Sequence, residues 1–120
     1  MNTGLRIVIV EDEPVIVRDL AFLLHRVDGS LRLMQTLASV QEAVAWFNAH
    51  EGSYDLVFMD IRLSDGQSFD IFRQVNMIAP VIFVTAYHDH ALTAFKHNGL
   101  DYILKPFDET DLRQALEKYC

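Results

Sequence analysis

Apolar residues along the chain fall into two alternating patterns. Short continuous runs occur at LRIVIV (5–10), LRLMQTLA (31–38), DLVFMD (55–60), PVIFVTA (80–86) and DYILKPF (101–107). The tetrads IVIV, LVFM and VIFV are unbroken and contain β-branched residues, which predicts strands covered on both faces of a parallel sheet. The second run mixes Arg32 and Gln35 with leucines and reads as an edge strand. Between the runs the period lengthens. After Pro14, a favoured first-turn residue, Ile16, Leu20, Leu23, Leu24 and Val27 form a helical stripe. Val40, Ala43, Val44 and Phe47 form another, as do Leu112, Ala115, Leu116 and Tyr119, and all three stripes are read as core. Asp28-Gly29, Gly52, Gly66 and Asn98-Gly99 punctuate the elements as turns or helix ends.

Five strand–helix units in series predict an α/β fold, a flavodoxin-like (βα)5 three-layer sandwich. Its parallel five-stranded sheet has the order 2-1-3-4-5, with right-handed crossovers. At 120 residues the chain reads as one domain, 1–120. In such sheets chemistry gathers beyond the carboxyl ends of the strands. There the first run delivers Glu11-Asp12-Glu13, the third Asp60, the fourth Thr85-Ala86 and the fifth Lys105-Pro106.

Taken singly, each of these groups has an ordinary reading. An acidic triplet is usually a solvated helix start, a lone Asp a turn residue, Thr85 a cap and Lys105 a surface charge. Taken together they line one crevice. Three clustered carboxylates repel unless a cation neutralises them, and a small hard cation with oxygen ligands does so. Lys105 adds a second positive charge, and a carboxylate in such a setting can act as nucleophile towards phosphorus. Asp60 is the candidate phosphoacceptor, with Thr85 and the backbone N–H of Ala86 placed to hydrogen-bond an arriving phosphoryl group.

The motifs IVIVEDEP, VFMDIRLSDG, VIFVTAY and DYILKPF, in this order and spacing, resemble the receiver domain of bacterial two-component response regulators over essentially the whole chain. The stretch VIFVTAYHDHALTAFKHNGLDYILKPF is similar to receivers that precede a LytTR-type DNA-binding domain. The resemblance implies that Glu11 and Asp12 hold Mg²⁺ (Mn²⁺ could substitute), with Asp60 as third carboxylate and the backbone carbonyl of Arg62 completing the set. It implies Thr85 as switch hydroxyl, Tyr102 as aromatic switch, and a cis Lys105–Pro106 peptide that aims the lysine. It also implies a signalling switch rather than a conventional enzyme, phosphorylated by a sensor histidine kinase or phosphotransfer protein. Homodimerisation is implied through the fourth helix, fifth strand and fifth helix. The output domain, expected to be a C-terminal DNA-binding domain controlling transcription, lies outside this chain. Ser64 and Ser68 replace the proline and glycine of commoner receivers, and Arg62 and Tyr87 flank the expected phosphoryl pocket.

Composition narrows the rest. A formal net charge of −7 argues against this domain gripping nucleic acid directly. The one cysteine, Cys120, permits no disulfide framework. No apolar run reaches membrane-helix length and MNTGLR is not a secretory signal, so a cytoplasmic location is expected. His25, His50, His88, His90 and His97 show no zinc spacing and are read as solvated or capping. Two other classes compete: a haloacid dehalogenase-type phosphatase, which needs an aspartate where Arg62 stands, and a flavodoxin-like FMN carrier, which needs a Gly- and Ser/Thr-rich loop where EDEPV stands. A receiver-like interaction module that is never phosphorylated is a milder alternative.

Overall fold

A computed structural model describes residues 4–86 and 99–119. Its main sheet is parallel and holds five strands: β1 (Arg6–Val10), β2 (Arg32–Leu37), β3 (Leu56–Met59), β6 (Val81–Thr85) and β7 (Gly99–Leu104). Their spatial order is β2-β1-β3-β6-β7, the predicted 2-1-3-4-5 in sequence rank. A two-stranded antiparallel hairpin, β4 (Arg62–Leu63) and β5 (Gly66–Gln67), stands apart just after β3.

Strand periodicity builds the layers. Along β1, Ile7 and Ile9 face one side of the sheet and Val8 and Val10 the other, and β3 and β6 alternate in register with it. One face receives Leu20 and Leu24 of α1 (Pro14–Val27) and Leu112, Ala115 and Leu116 of α3 (Glu109–Tyr119). The opposite face receives Ala43 and Phe47 of α2 (Val40–Ala49), with Phe69 and Ile71. The result is the three-layer sandwich, with the charged ends of β1 and β3 at one rim.

Two features depart from the sequence reading. The third connection carries a 3₁₀-helix, Ser68–Arg73, rather than an α-helix. Six residues at about 2 Å rise span the length of a four-residue strand, where an α-helix would need about eight. Ile16, read as core, is only half-buried and lines a surface groove with Phe22, Leu23, Pro106 and Phe107. The remaining residues of its stripe pack as expected, Leu20 and Leu24 buried and Leu23 and Val27 at the margin. The expected fourth helix, with Tyr87, His88, His90 and His97, lies outside the described residues, as does Cys120.

Candidate functional site

The carboxyl ends of β1, β3, β6 and β7 converge, and hydrogen bonds between strands fix how. The N–H of Asp60 donates to Val10 O at 2.9 Å, so the residue after β3 is held beside the end of β1. The N–H of Lys105 donates to Thr85 O at 2.8 Å, which ties the residue after β7 to the end of β6. The Lys105–Pro106 peptide is cis.

Glu11, Asp12 and Asp60 each offer a carboxylate oxygen, and these atoms lie within 4.8 Å of one another. Lys105 Nζ donates to Glu11 Oε1 at 2.9 Å and to Asp60 Oδ2 at 3.0 Å, and stands 3.9 Å from Glu13 Oε1. Glu11 and Asp60 are only 4% and 7% exposed, and Thr85 is fully buried. The Glu11 N–H donates to Leu37 O, and the Glu13 N–H donates to Glu11 Oε2 at 3.2 Å. The Arg62 N–H reaches Asp60 Oδ1 at a long 3.4 Å. Asp12, Glu13, Asp60, Arg62, Leu63, Ala86 and Lys105 line an open cleft of about 270 Å³. Tyr102 lies on β7, one strand from Phe83, with ring centroids 6.4 Å apart.

The electrostatics follow from burial and crowding. Burial pushes the Glu11 carboxyl up to about 7, with the Asp60 charge adding to the rise and the Lys105 hydrogen bond opposing it. Burial pulls the Lys105 ammonium down, but its hydrogen bonds to Glu11 and Asp60 prevail and hold it above the ordinary lysine value. One lysine thus faces three clustered carboxylates, a surplus of negative charge in a half-enclosed place. This donor set, all hard oxygen, suits a divalent cation such as Mg²⁺.

Beside the cleft lies a contact that reading the chain missed. Asp65, at the tip of the β4–β5 hairpin, accepts the backbone N–H groups of Val40 (2.8 Å) and Gln41 (3.0 Å) at the start of α2. Asp65-Gly66 signals a turn, but nothing local announces a partner 25 residues away. Ser68 is fully buried, and its Oγ has no hydrogen-bond partner among the described residues. His25 and His50 stay outside the cleft. The His25 ring nitrogens lie 2.9 Å and 3.1 Å from the carbonyls of Ala21 and Leu31, and His50 Nδ1 lies 2.8 Å from Trp46 O.

A family model described as response regulator receiver domain matches residues 7–117. The chain belongs to that family. Among curated proteins this receiver is 35% identical to the sensory transduction protein LytT of Bacillus subtilis (strain 168), over 96% of this chain and 48% of that protein. It is 32% identical to the sensory transduction protein LytR of Staphylococcus haemolyticus, over 95% of this chain and 44% of that protein. The chain therefore spans about half the length of the curated relatives it matches. Among solved structures, a response regulator receiver domain protein from Clostridium thermocellum matches at 27% identity and a TM-score of 0.80, covering 96% of this chain and 93% of that one. The response regulatory domain of mrkE from Klebsiella pneumoniae shares the fold at a TM-score of 0.84 and 23% identity, over 96% and 94% of the two chains. This is a signalling family, and the phosphatase and flavin-carrier readings fall behind it. Among the described residues no helix is long and apolar enough to cross a membrane.

Proposed function

We propose that this receiver accepts a phosphoryl group on Asp60 from a phosphohistidine of a sensor histidine kinase or phosphotransfer protein, and that the resulting charge switches the domain. The observation that carries the reading is Lys105 Nζ seated between Glu11 and Asp60, with Asp12 completing a carboxylate cluster within 4.8 Å.

Glu11, Asp12 and Asp60, with the Arg62 carbonyl, would hold Mg²⁺. Bound there, the ion neutralises the cluster and stabilises charge on the phosphoryl oxygens. Mn²⁺ suits the same oxygen ligands. Lys105 supplies a fixed positive charge opposite. An Asp60 oxygen attacks phosphorus, an O–P bond forms, and the P–N bond breaks with its electron pair leaving on the imidazole. The Ala86 N–H and the Thr85 hydroxyl then receive the phosphoryl oxygens. Thr85 is buried at the end of β6 and Tyr102 stands on the adjacent strand. These positions suit a switch in which a shift of Thr85 towards Asp60 is accompanied by Tyr102, a two-state equilibrium.

The output is control of transcription by a C-terminal DNA-binding domain of LytTR type, beyond residue 120. One matching relative is named transcriptional regulatory protein LytR, from Staphylococcus aureus. Homodimerisation through a face built on β7 and α3 transmits the switch, in the cytoplasm, and this acidic domain leaves DNA contact to its partner domain.

Incubation with Mg²⁺ and acetyl phosphate, followed by intact mass, tests the assignment. One added phosphoryl group, absent in Asp60→Asn, is the expected result. Donor turnover with no adduct on the protein, or an adduct that survives Asp60→Asn, overturns it.

A further inference from the structure

We infer that Asp65 is a positioning residue for the metal-binding edge of the cleft. Its carboxylate clamps the hairpin that carries Arg62 onto the start of α2. The inference rests on the proposed Mg²⁺-dependent phosphorylation, and it concerns a residue outside the cleft itself.

The hairpin is short and closed at both ends. Arg62 pairs with Gln67 and Leu63 with Gly66, leaving Ser64 and Asp65 as the two-residue tip. At its base the Ser68 N–H donates to Ile61 O at 2.7 Å. At its tip Asp65 Oδ1 takes the Val40 N–H and Oδ2 takes the Gln41 N–H, one oxygen to each. These two donors belong to the first turn of α2, which the helix itself leaves without partners. They also hold the Asp65 carboxyl below the ordinary aspartate range, the bond from Val40 contributing most and that from Gln41 next.

Helix α2 does not need Asp65 in order to start. Its own cap, the Ser39 hydroxyl, accepts the Glu42 N–H at 3.0 Å, and Glu42 Oε1 accepts the Ala38 N–H at 3.2 Å. This is the Ser39 half of a capping box, with the Glu42 carboxylate bound one residue before the cap, at Ala38, instead of at the Ser39 N–H. The Asp65 clamp is therefore additional to an already capped helix, and what it fixes is the hairpin. Arg62 lines the cleft and its N–H points at Asp60 Oδ1. A two-residue hairpin anchored at base and tip leaves Arg62 little freedom to swing away from Asp60. The loop after the acceptor is thus held by a surface carboxylate on a helix N-terminus.

The test compares Asp65→Ala with Ser39→Ala, which removes a bond at the same helix end and leaves the hairpin alone. Mg²⁺ affinity is measured by calorimetry, and acetyl phosphate labelling is followed at limiting and saturating Mg²⁺. Asp65→Ala is expected to weaken Mg²⁺ binding about tenfold, the lower end of the effect of losing a group that orients a metal ligand. Its labelling should be slow at limiting Mg²⁺ and recover at saturation, while Ser39→Ala keeps wild-type affinity. Equal loss in both variants assigns the effect to the helix and overturns the inference, as does unchanged affinity in Asp65→Ala. Wild-type protein that binds no Mg²⁺ overturns the phosphorylation reading itself, a distinct result.

Discussion

Lys105 Nζ lies 3.0 Å from Asp60 Oδ2, although β7 and β3 are separated in the sheet by β6. The lysine reaches across an intervening strand to meet the acceptor carboxylate, and the same ammonium holds Glu11 at 2.9 Å. An amide in its place keeps a hydrogen-bond donor and loses the charge. In Lys105→Gln, labelling by acetyl phosphate at saturating Mg²⁺ should slow about a hundredfold, the effect of removing one preorganised donor from a developing anion. An intact-mass time course checks this, and a wild-type rate would remove Lys105 from the chemistry.

The carboxylate cluster makes metal binding a stability effect. Glu11, Asp12 and Asp60 repel one another within 4.8 Å, and a cation that binds only the folded arrangement shifts the folding equilibrium. At a hundred times its dissociation constant Mg²⁺ should add about 2.7 kcal/mol, a rise in melting temperature on the order of 10 °C for a chain of this size. Asp60→Asn should lose most of that rise, yet be no less stable than wild type in chelator, because it removes one of the crowded charges. Thermal melts of both proteins with Mg²⁺ and with chelator decide the point. An equal Mg²⁺ response in both would take Asp60 out of the ligand set.

At the opposite end of the sheet, Asp55 and Arg6 fasten the start of β3 to the start of β1. Asp55 Oδ2 accepts from the Arg6 backbone N–H (2.8 Å) and Nε (3.1 Å), and Oδ1 accepts from Nη2 (2.9 Å). The Arg6 side-chain hydrogen bond lowers the Asp55 carboxyl below its ordinary value, against the opposing effect of burial. The stability that comes with a lowered carboxyl is present above the unfolded value of about 4 and is lost as pH falls through the folded one. Asp55→Asn should therefore melt below wild type at pH 7, with the two curves converging as pH drops beneath about 4. Melts from pH 7 to pH 2 test this, and a gap that widens in acid would contradict the pairing.

The fold was legible because strands buried on both faces leave unbroken apolar runs. LVFM (56–59) and VIFV (81–84) are buried throughout, and no helical period fits them. The meeting of Glu11, Asp60 and Lys105 was legible because the topology puts strand ends together, although the three come from separate segments. The 3₁₀-helix was not, since Ser68–Arg73 carries apolar residues at spacings that an α-helix would also bury. Ile16 shows the limit of a stripe: helical period marks a side of α1, while the sheet covers only part of that side. Asp65 was hidden for a different reason. Its partners are backbone N–H groups, which every residue has, so no side-chain pattern advertises the clamp.

Gly66 offers a test of the hairpin that removes no charged group. Its φ of +148° lies where a side chain is strained, and a Cβ there would stand 3.3 Å from Asp70 Oδ2 and 3.9 Å from Val40 Cγ2. Gly52 provides the comparison, since its φ is +76° but a Cβ would meet nothing within 4 Å. Alanine at position 52 pays mainly the left-handed backbone cost of about 1 kcal/mol. Alanine at position 66 enters a region that is essentially glycine's own, worth about 1–3 kcal/mol, and also forces Asp70 to move. Gly66→Ala should therefore be the more destabilised of the two in urea titrations, with an unchanged denaturant slope. Equal midpoints, or a greater loss at position 52, would show that the turn after Asp65 is not the tight one described.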